Sequence, residues 1–396
     1  MNAIYDVVII GGGMSGMMAA ITLAEKGKKV AVISKGDPVC CFSTGCIDVL
    51  ADGDDPLEGI GSLPDNHPYH LVGEDAIAHS LELFKNIMSE EGMPYVGDAH
   101  INRKVLTSLG RCKTSCLVPE TMEFSDCDPD EYIHVISFYK MKDFYPQYIT
   151  SRYPNAGYSV FDPDVITTPG IAEKFENKTF LEEFISWLGG LDIPEGKIAL
   201  PAVLGRSLAG KVYHEISAGC GRKVFEIPTL PPSMPGLRLF GGLKKALLRR
   251  GVNLYWGRGI YSVEKLGNRI EAVTLDSAGR TTRVEGKAFI LATGSFISGG
   301  LYASMDTVNE TVFDLPAFLP GARETWFNDD FFASGHEIEK AGIRVDPSFR
   351  SVDAEIENLY VCGSILAFSE VMKYRCGHGM AIATGVAAAN ACGGLV

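Results

Sequence analysis

At 396 residues the chain is long enough for two or three units of about 150 residues each, with an ample buried core. A hydrophobic content of 46% and a charged content of 21% are ordinary for a soluble globular protein. A net charge of -13 leaves no basic surplus to neutralise phosphates, which argues against a nucleic-acid partner but leaves room for a local basic pocket.

Targeting and metal signals are weak. The first strand opens at Ile4 with no basic leader and no separate apolar segment, so no signal peptide is expected. No run of about 20 apolar residues reads as a membrane span. Met380 to Val396 comes nearest, but it is rich in Ala and Gly and reads as a buried helix. A cytoplasmic protein is expected, touching a membrane only through a partner. Ten cysteines are present. Neither Cys40, Cys41 and Cys46 nor Cys112 and Cys116 have the C-x₂-C spacing of zinc or cubane sites, so no metal site is expected. Thiols in a reducing compartment are the simple reading, and a redox pair at Cys112 and Cys116 is the alternative.

The most informative stretch comes first. Val7 to Ile10 is an apolar run of strand type, followed at once by Gly11, Gly12 and Gly13. Small and apolar residues from Met14 onward suit a helix. Gly11, Gly13 and Gly16 therefore stand in G-x-G-x-x-G spacing between strand and helix, the context a dinucleotide fingerprint requires. The first glycine permits the turn, the second lets backbone approach a phosphate, and the third lets the helix pack on the strand. Lys28 to Ser34 is a second strand, parallel to the first. Its end usually carries an acid for ribose hydroxyls. Ser34 stands there instead, which leaves room for a shorter ligand with one phosphate.

Ser43, Thr44 and Gly45 follow that strand on the expected ligand face, with an ordinary Ser/Thr turn as the alternative. Asp52 to Pro68 reads as a linker, and Glu74 to Glu91 as an amphipathic helix. From Tyr95 to Ser233 aromatic residues accumulate and glycine fingerprints vanish. Tyr132 to Phe138 and Ile198 to Leu204 read as strands there, and Thr179 to Leu188 as a helix. Lys223 to Ile227 is another strand. Pro228 to Gly236 holds four prolines and reads as a rigid extended crossing. Leu237 to Arg250 is an amphipathic helix stopped by Gly251. Val252 to Trp256, Arg269 to Leu275, Thr281 to Glu285 and Lys287 to Gly294 are strands, with Asn268 and Gly279 in turn-like breaks. Glu357 to Ser364 is the last strand, and Gly377 to Gly385 opens the last helix.

Three pieces agree at this point. The glycine fingerprint, the strand ending Ala292-Thr293-Gly294, and Leu359 to Ser364 before a glycine-opened helix resemble the skeleton of the two-dinucleotide-binding-domain flavoproteins. That resemblance implies an α/β fold, a Rossmann-like FAD/NAD(P)-binding flavoprotein fold with an inserted α+β domain. Within that superfamily the chain resembles the B-subunit family of the anaerobic glycerol-3-phosphate dehydrogenases. Phe42 to Gly45, Thr229 to Ser233 with Gly236 to Leu239, Gly294 to Leu301 and Leu359 to Ser364 carry the likeness. The boundaries it implies are 1–65 and 234–396 for the flavin-binding domain and 66–233 for an inserted substrate or interface domain, with about 300–345 free to pack against the insert.

The resemblance further implies oxidation of sn-glycerol 3-phosphate to dihydroxyacetone phosphate, with electrons passed to quinone under anaerobic conditions. The implied partners are a catalytic flavoprotein, the A subunit of the complex, together with a membrane-associated iron–sulfur protein, its C subunit. Through them the chain would lie at the inner face of the cell membrane. The implied cofactor is FMN, with FAD as the alternative. Its expected contacts are Gly11, Gly13, Ser15, Gly16, Ser34, Ser43, Thr44, Gly45, Thr293, Gly294, Gly363, Ser364, Gly377, Gly379 and Met380. The family's last strand usually ends Gly-Asp, and Ser364 replaces that Asp.

Alcohol oxidation needs a hydride acceptor, a base, and stabilisation of charge on the reduced flavin. His378, at the last helix start, is the candidate base or a simple cap. Arg238 and Arg375 are candidate catalytic cations for a phosphorylated substrate, with Arg323 and Lys373 nearby in the pattern. Arg206 and His214 lie in the insert. Two alternatives stand: a non-catalytic flavin-holding scaffold or electron relay, and an independent FAD oxidoreductase of fumarate-reductase type.

Overall fold

In the computed structural model, which describes residues 4–124, 131–231, 233–276, 281–330 and 332–395, the main elements in chain order are β1 (Ile4–Ile10), α1 (Met14–Glu25), β2 (Val30–Ser34), α2 (Glu74–Glu90), β3 (Ile133–Phe138), β4 (Ala156–Phe161), α3 (Lys178–Gly189), β5 (Lys197–Pro201), α4 (Ala209–Cys220), β6 (Val224–Ile227), α5 (Met234–Arg249), β7 (Asn253–Trp256), β8 (Ile260–Leu266), β9 (Arg269–Leu275), β10 (Thr282–Leu291), β11 (Leu359–Val361) and α6 (Gly377–Gly393). They fall into two units. The first comprises 1–39, 47–84 and 243–396; the second comprises 40–46 and 85–242.

The first unit is built on a seven-stranded sheet of order β7-β2-β1-β10-β9-β8, with β11 also paired to β10. β1 lies in its middle, parallel to β2 on one side and to β10 on the other. Val7, Val8 and Ile9 have no exposed surface. Burial on both faces is why this strand reads as an unbroken apolar run rather than an alternating one. The βαβ unit of β1, α1 and β2 carries the chain to one side of β1, and β10 flanks the other side. The crevice at the carboxyl end of β1 is therefore where such a sheet offers a ligand site.

The second unit holds a four-stranded parallel sheet, β6-β5-β3-β4. Its core contains an aromatic cluster. Phe138, Phe161, Phe175 and Phe184 meet one another largely edge to face, the arrangement ring quadrupoles favour.

Several expectations need correction. The 52–68 segment contains one short helix, Pro56–Ile60, and a second, Pro68–Val72, begins at its last residue; each has proline in its first turn and a capping side chain, from Asp55 and His67. α5 starts at Met234, not Leu237, because Pro235 sits in a first turn where its missing N–H costs nothing. The two strands expected at 281–285 and 287–294 are one strand running through Gly286. β8 is a strand that the expected set lacks. The break at Gly279 lies outside the described residues, as does Pro232 of the proline-rich segment. Among the described residues no helix is long and apolar enough to cross a membrane, no disulfide joins cysteines, and no cluster of metal-binding side chains is gathered.

Candidate functional site

The site is built where three parallel strands end. Gly11, at φ +117°, turns the chain out of β1 so closely that an added Cβ would lie 2.1 Å from the Ala292 carbonyl oxygen at the end of β10. Gly16 sits against this turn, since a Cβ there would be 2.0 Å from Gly11 O. Gly13 is different: a Cβ there would meet no protein atom within 4 Å. Gly13 is also the N-cap of α1, with no side-chain cap and no acidic residue in the first turn. The positive end of a helix thus faces open space beside a glycine turn, a ready anion cradle.

The other strand ends converge on it. A Cβ on Gly294 would lie 3.5 Å from Ser364 Oγ, bringing the ends of β10 and β11 together. A Cβ on Gly363, at φ +82°, would lie 2.3 Å from Ser15 Oγ. Thr384 Oγ1 on α6 accepts the Gly363 N–H at 3.0 Å and donates to Met380 O at 2.7 Å, which ties β11 to the last helix. The backbone of α1 comes close to α6 as well, because a Cβ on Gly385 would lie 2.4 Å from Ser15 O. Thr293 Oγ1 is buried with no hydrogen-bond partner. Such an atom at a strand end is available to a ligand group or an ordered water. Burial pushes the Cys362 thiol up to about 12, partly offset by the Ser15 hydroxyl, so this cysteine packs and does not react.

The cradle, the unpartnered Thr293 hydroxyl and the adjacent Ser364 fit the phosphate and ribityl chain of a flavin. The end of β2 is furnished differently. Ser34 Oγ donates to Gly36 O at 2.8 Å, and a Cβ on Gly12 would lie 2.4 Å from the Trp256 indole. Trp256 carries no site signal in the sequence, because only the pairing of β7 with β2 places it there.

The start of α6 is anchored by the Gly379 N–H donating to Asp48 O at 3.1 Å. Its N-cap, Cys376, offers no side-chain bond. His378 is half-buried in the first turn, and Arg375 is exposed just before it. The approach to this helix is strained. Phe368, Glu370 and Arg375 adopt φ of 63°, 34° and 48°, a region non-glycine residues seldom visit. Lys373 is held by Glu370 at 2.8 Å; burial alone lowers its pKa, but that bond raises it overall. Arg323 donates to Ser304 O at 2.7 Å and lies over the Trp326 ring.

The remaining predicted residues belong to the second unit. Ser43 Oγ donates to Cys40 O at 2.8 Å and accepts the Gly45 N–H at 3.1 Å, the ordinary Ser/Thr turn. A Cβ on Gly236 would lie 2.6 to 2.8 Å from the carbonyl oxygens of Cys40, Cys41 and Ser43, so the Phe-Ser-Thr-Gly loop packs on the start of α5. Thr44 is half-buried in that loop.

Arg238 has a structural task rather than the catalytic one expected of it. It is 6% exposed, and each of its three nitrogens donates inward: Nε to Gly205 O at 2.8 Å, and Nη1 and Nη2 to the two oxygens of Glu226. Glu226 also accepts from Thr121 Oγ1 at 2.6 Å and Leu204 N at 2.7 Å. A guanidinium committed this fully has little to offer a substrate phosphate. The N–H groups of Arg206 and Leu208 bond Glu176 at 2.8 and 2.9 Å, and His214 pairs with Glu120 at 3.3 Å.

The chain is similar to several known proteins. The chain is 28% identical to the B subunit of the anaerobic glycerol-3-phosphate dehydrogenase of Yersinia enterocolitica, covering 96% of this chain and 95% of that one. It is 28% identical to the chain of the same name from Vibrio vulnificus, covering 99% and 97%. Among solved structures, a 3-ketosteroid delta1-dehydrogenase from Sterolibacterium denitrificans aligns over 100% of both chains at 13% identity and a TM-score of 0.47. Residues 6–129 and 188–380 match the family described as "FAD binding domain". That match spans well over half of the sequence and includes the glycine cradle and the strand ends around it: the chain belongs to the FAD binding domain family, and its cofactor is a flavin.

Proposed function

We propose that this chain is the B subunit of a dehydrogenase complex that oxidises sn-glycerol 3-phosphate to dihydroxyacetone phosphate and passes electrons toward quinone under anaerobic conditions. The observation that carries the reading is nearly full-length similarity to chains named for that subunit, in a chain with an open phosphate cradle. In this reading 1–65 and 234–396 form the flavin-binding part, and 66–233 the inserted substrate or interface domain. A flavin, FMN with FAD as the alternative, supplies the hydride acceptor. Gly11 makes the turn, the N–H groups from Gly13 to Gly16 hold its phosphate, and the Thr293 and Ser364 hydroxyls bind its ribityl chain. The first turn of α6, Gly377 to Met380, presents the positive end of the helix dipole to developing negative charge. His378 takes the alcohol proton on its imidazole, and Arg375 binds the substrate phosphate. A second flavoprotein and an iron–sulfur protein complete the complex, which holds this chain at the inner face of the cell membrane.

A second reading, a flavin-holding relay with alcohol oxidation on the second flavoprotein, is favoured by one observation. Arg238, Lys373 and Arg323 are all engaged within the protein, which leaves Arg375, of the four candidate cations, for a substrate phosphate. Anaerobic titration of the purified chain with glycerol 3-phosphate separates the two. Bleaching of the yellow flavin by the chain alone supports catalysis here. Bleaching only with the second flavoprotein present supports the relay. A purified chain without flavin absorbance refutes both.

A further inference from the structure

The carboxyl end of the second strand is where a dinucleotide-binding sheet holds the ribose of an adenosine, with the base beside the fingerprint turn. Here that place is filled by protein. β7 runs parallel to β2 with Trp256 paired to Ser34. The indole reaches over the glycine turn, where a Cβ on Gly12 would lie 2.4 Å from Trp256 Cη2 and 2.8 Å from Ser34 Cβ. The ring is fixed from two directions. Its Nε1 donates to Asp37 Oδ1 at 3.0 Å, so the first carboxylate after β2 holds an indole. The Lys244 ammonium stands 4.9 Å from the ring centroid. Ser34, the residue in the ribose-binding position, turns its hydroxyl to Gly36 O at 2.8 Å.

We propose that Trp256 closes the adenosine subsite, so that the cradle accepts a flavin mononucleotide and rejects the same flavin extended by AMP. To admit an adenosine the indole must leave, which breaks its bond to Asp37 and its contact with Lys244. A mononucleotide ends at the phosphate and needs no such movement. The proposal deepens the flavin assignment and rests on it. Trp256 acts here as a specificity-determining side chain.

The test is titration of the full-length apoprotein with FMN, FAD and ADP, followed by flavin fluorescence and, for ADP, by calorimetry. The wild-type chain is expected to bind FMN at least about a hundredfold more tightly than FAD, and to bind no measurable ADP. Trp256→Gly should gain at least about tenfold in FAD affinity and acquire ADP binding, with FMN affinity within about twofold of wild type. Trp256→Phe, which keeps a ring in place, should retain the discrimination and guards against a folding defect in the glycine variant. Wild-type protein that releases FAD on acid extraction, or binds ADP as well as Trp256→Gly does, overturns the proposal while leaving the flavin assignment intact. Loss of FAD affinity in Trp256→Gly also overturns it, because the indole then stacks on the base. Binding of neither flavin overturns both.

Discussion

Gly13 and Gly11 lie two residues apart and should fail in opposite ways. A side chain at Gly13 meets no protein atom within 4 Å, and the backbone there has φ -78° and ψ -178°, which valine adopts without strain. Gly13→Val should therefore change folding stability by no more than about 1 kcal/mol, the difference between glycine and a poor N-cap. The same side chain fills the cradle. Losing two charge-assisted hydrogen bonds to a phosphate, at about 1.5–3 kcal/mol each, gives roughly 3–6 kcal/mol, or about 10²- to 10⁴-fold in flavin affinity. Gly11→Ala places its Cβ 2.1 Å from a carbonyl oxygen at a φ that alanine rarely adopts, so it should lose at least about 3 kcal/mol of stability. The assay pairs flavin titration of each apoprotein with urea unfolding of the apoprotein. Apoprotein must be used because bound flavin would itself raise stability by mass action. Stoichiometric flavin in purified Gly13→Val, or unfolding of that variant to the same degree as Gly11→Ala, would refute the placement of the cradle.

Three further outcomes are expected. Arg238→Met should cost about 3–5 kcal/mol in denaturant unfolding, because it strands Glu226 as a buried charge, whereas a variant that loses only substrate affinity would show that Arg238 works on the substrate. Burial holds the His67 imidazole down from 6.5 to about 4, outweighing its bond to Ser369 O. The unfolded chain then takes up the proton first as pH falls, so stability should drop by roughly 3 kcal/mol between pH 6.5 and 4. His67→Gln should flatten that part of the profile, and an unchanged slope would count against the buried neutral imidazole. Gly385→Val should lower stability by about 1–3 kcal/mol, since its side chain would be driven into the Ser15 backbone, and unfolding at the wild-type urea midpoint would contradict that close approach.

What can be read in the sequence is what burial writes locally. β1 announces itself because both faces are covered, and the glycines after it announce the turn they permit. β3, buried along its whole length, is legible for the same reason. β8 is not among the expected strands: none of its residues is buried, and its apolar residues Ile260, Tyr261, Val263 and Leu266 do not alternate strictly with polar ones. Gly286 reads as a boundary between strands. It is a packing residue inside one strand, where a Cβ would meet Val8 Cγ2 at 2.8 Å. Arg238 reads as a free cation because its partner, Glu226, is supplied by β6 and shows no motif. Trp256 is invisible as a site residue for a similar reason. Its neighbour Ser34 lies far away in sequence, and only strand register joins them.

The central position of β1 also bears on how the chain is made. One edge of β1 is covered by β2 almost as soon as it is synthesised, but the other pairs Ile4 to Ile10 with residues 285–291. A ribosome must deliver most of the molecule before the second edge of this strand finds hydrogen-bond partners. Long-range parallel pairing of this kind is slow, because the intervening loop must be closed before any contact rewards it. Until then the strand on which the flavin cradle depends has one unpaired edge, the kind of edge open to wrong pairing in a nascent chain.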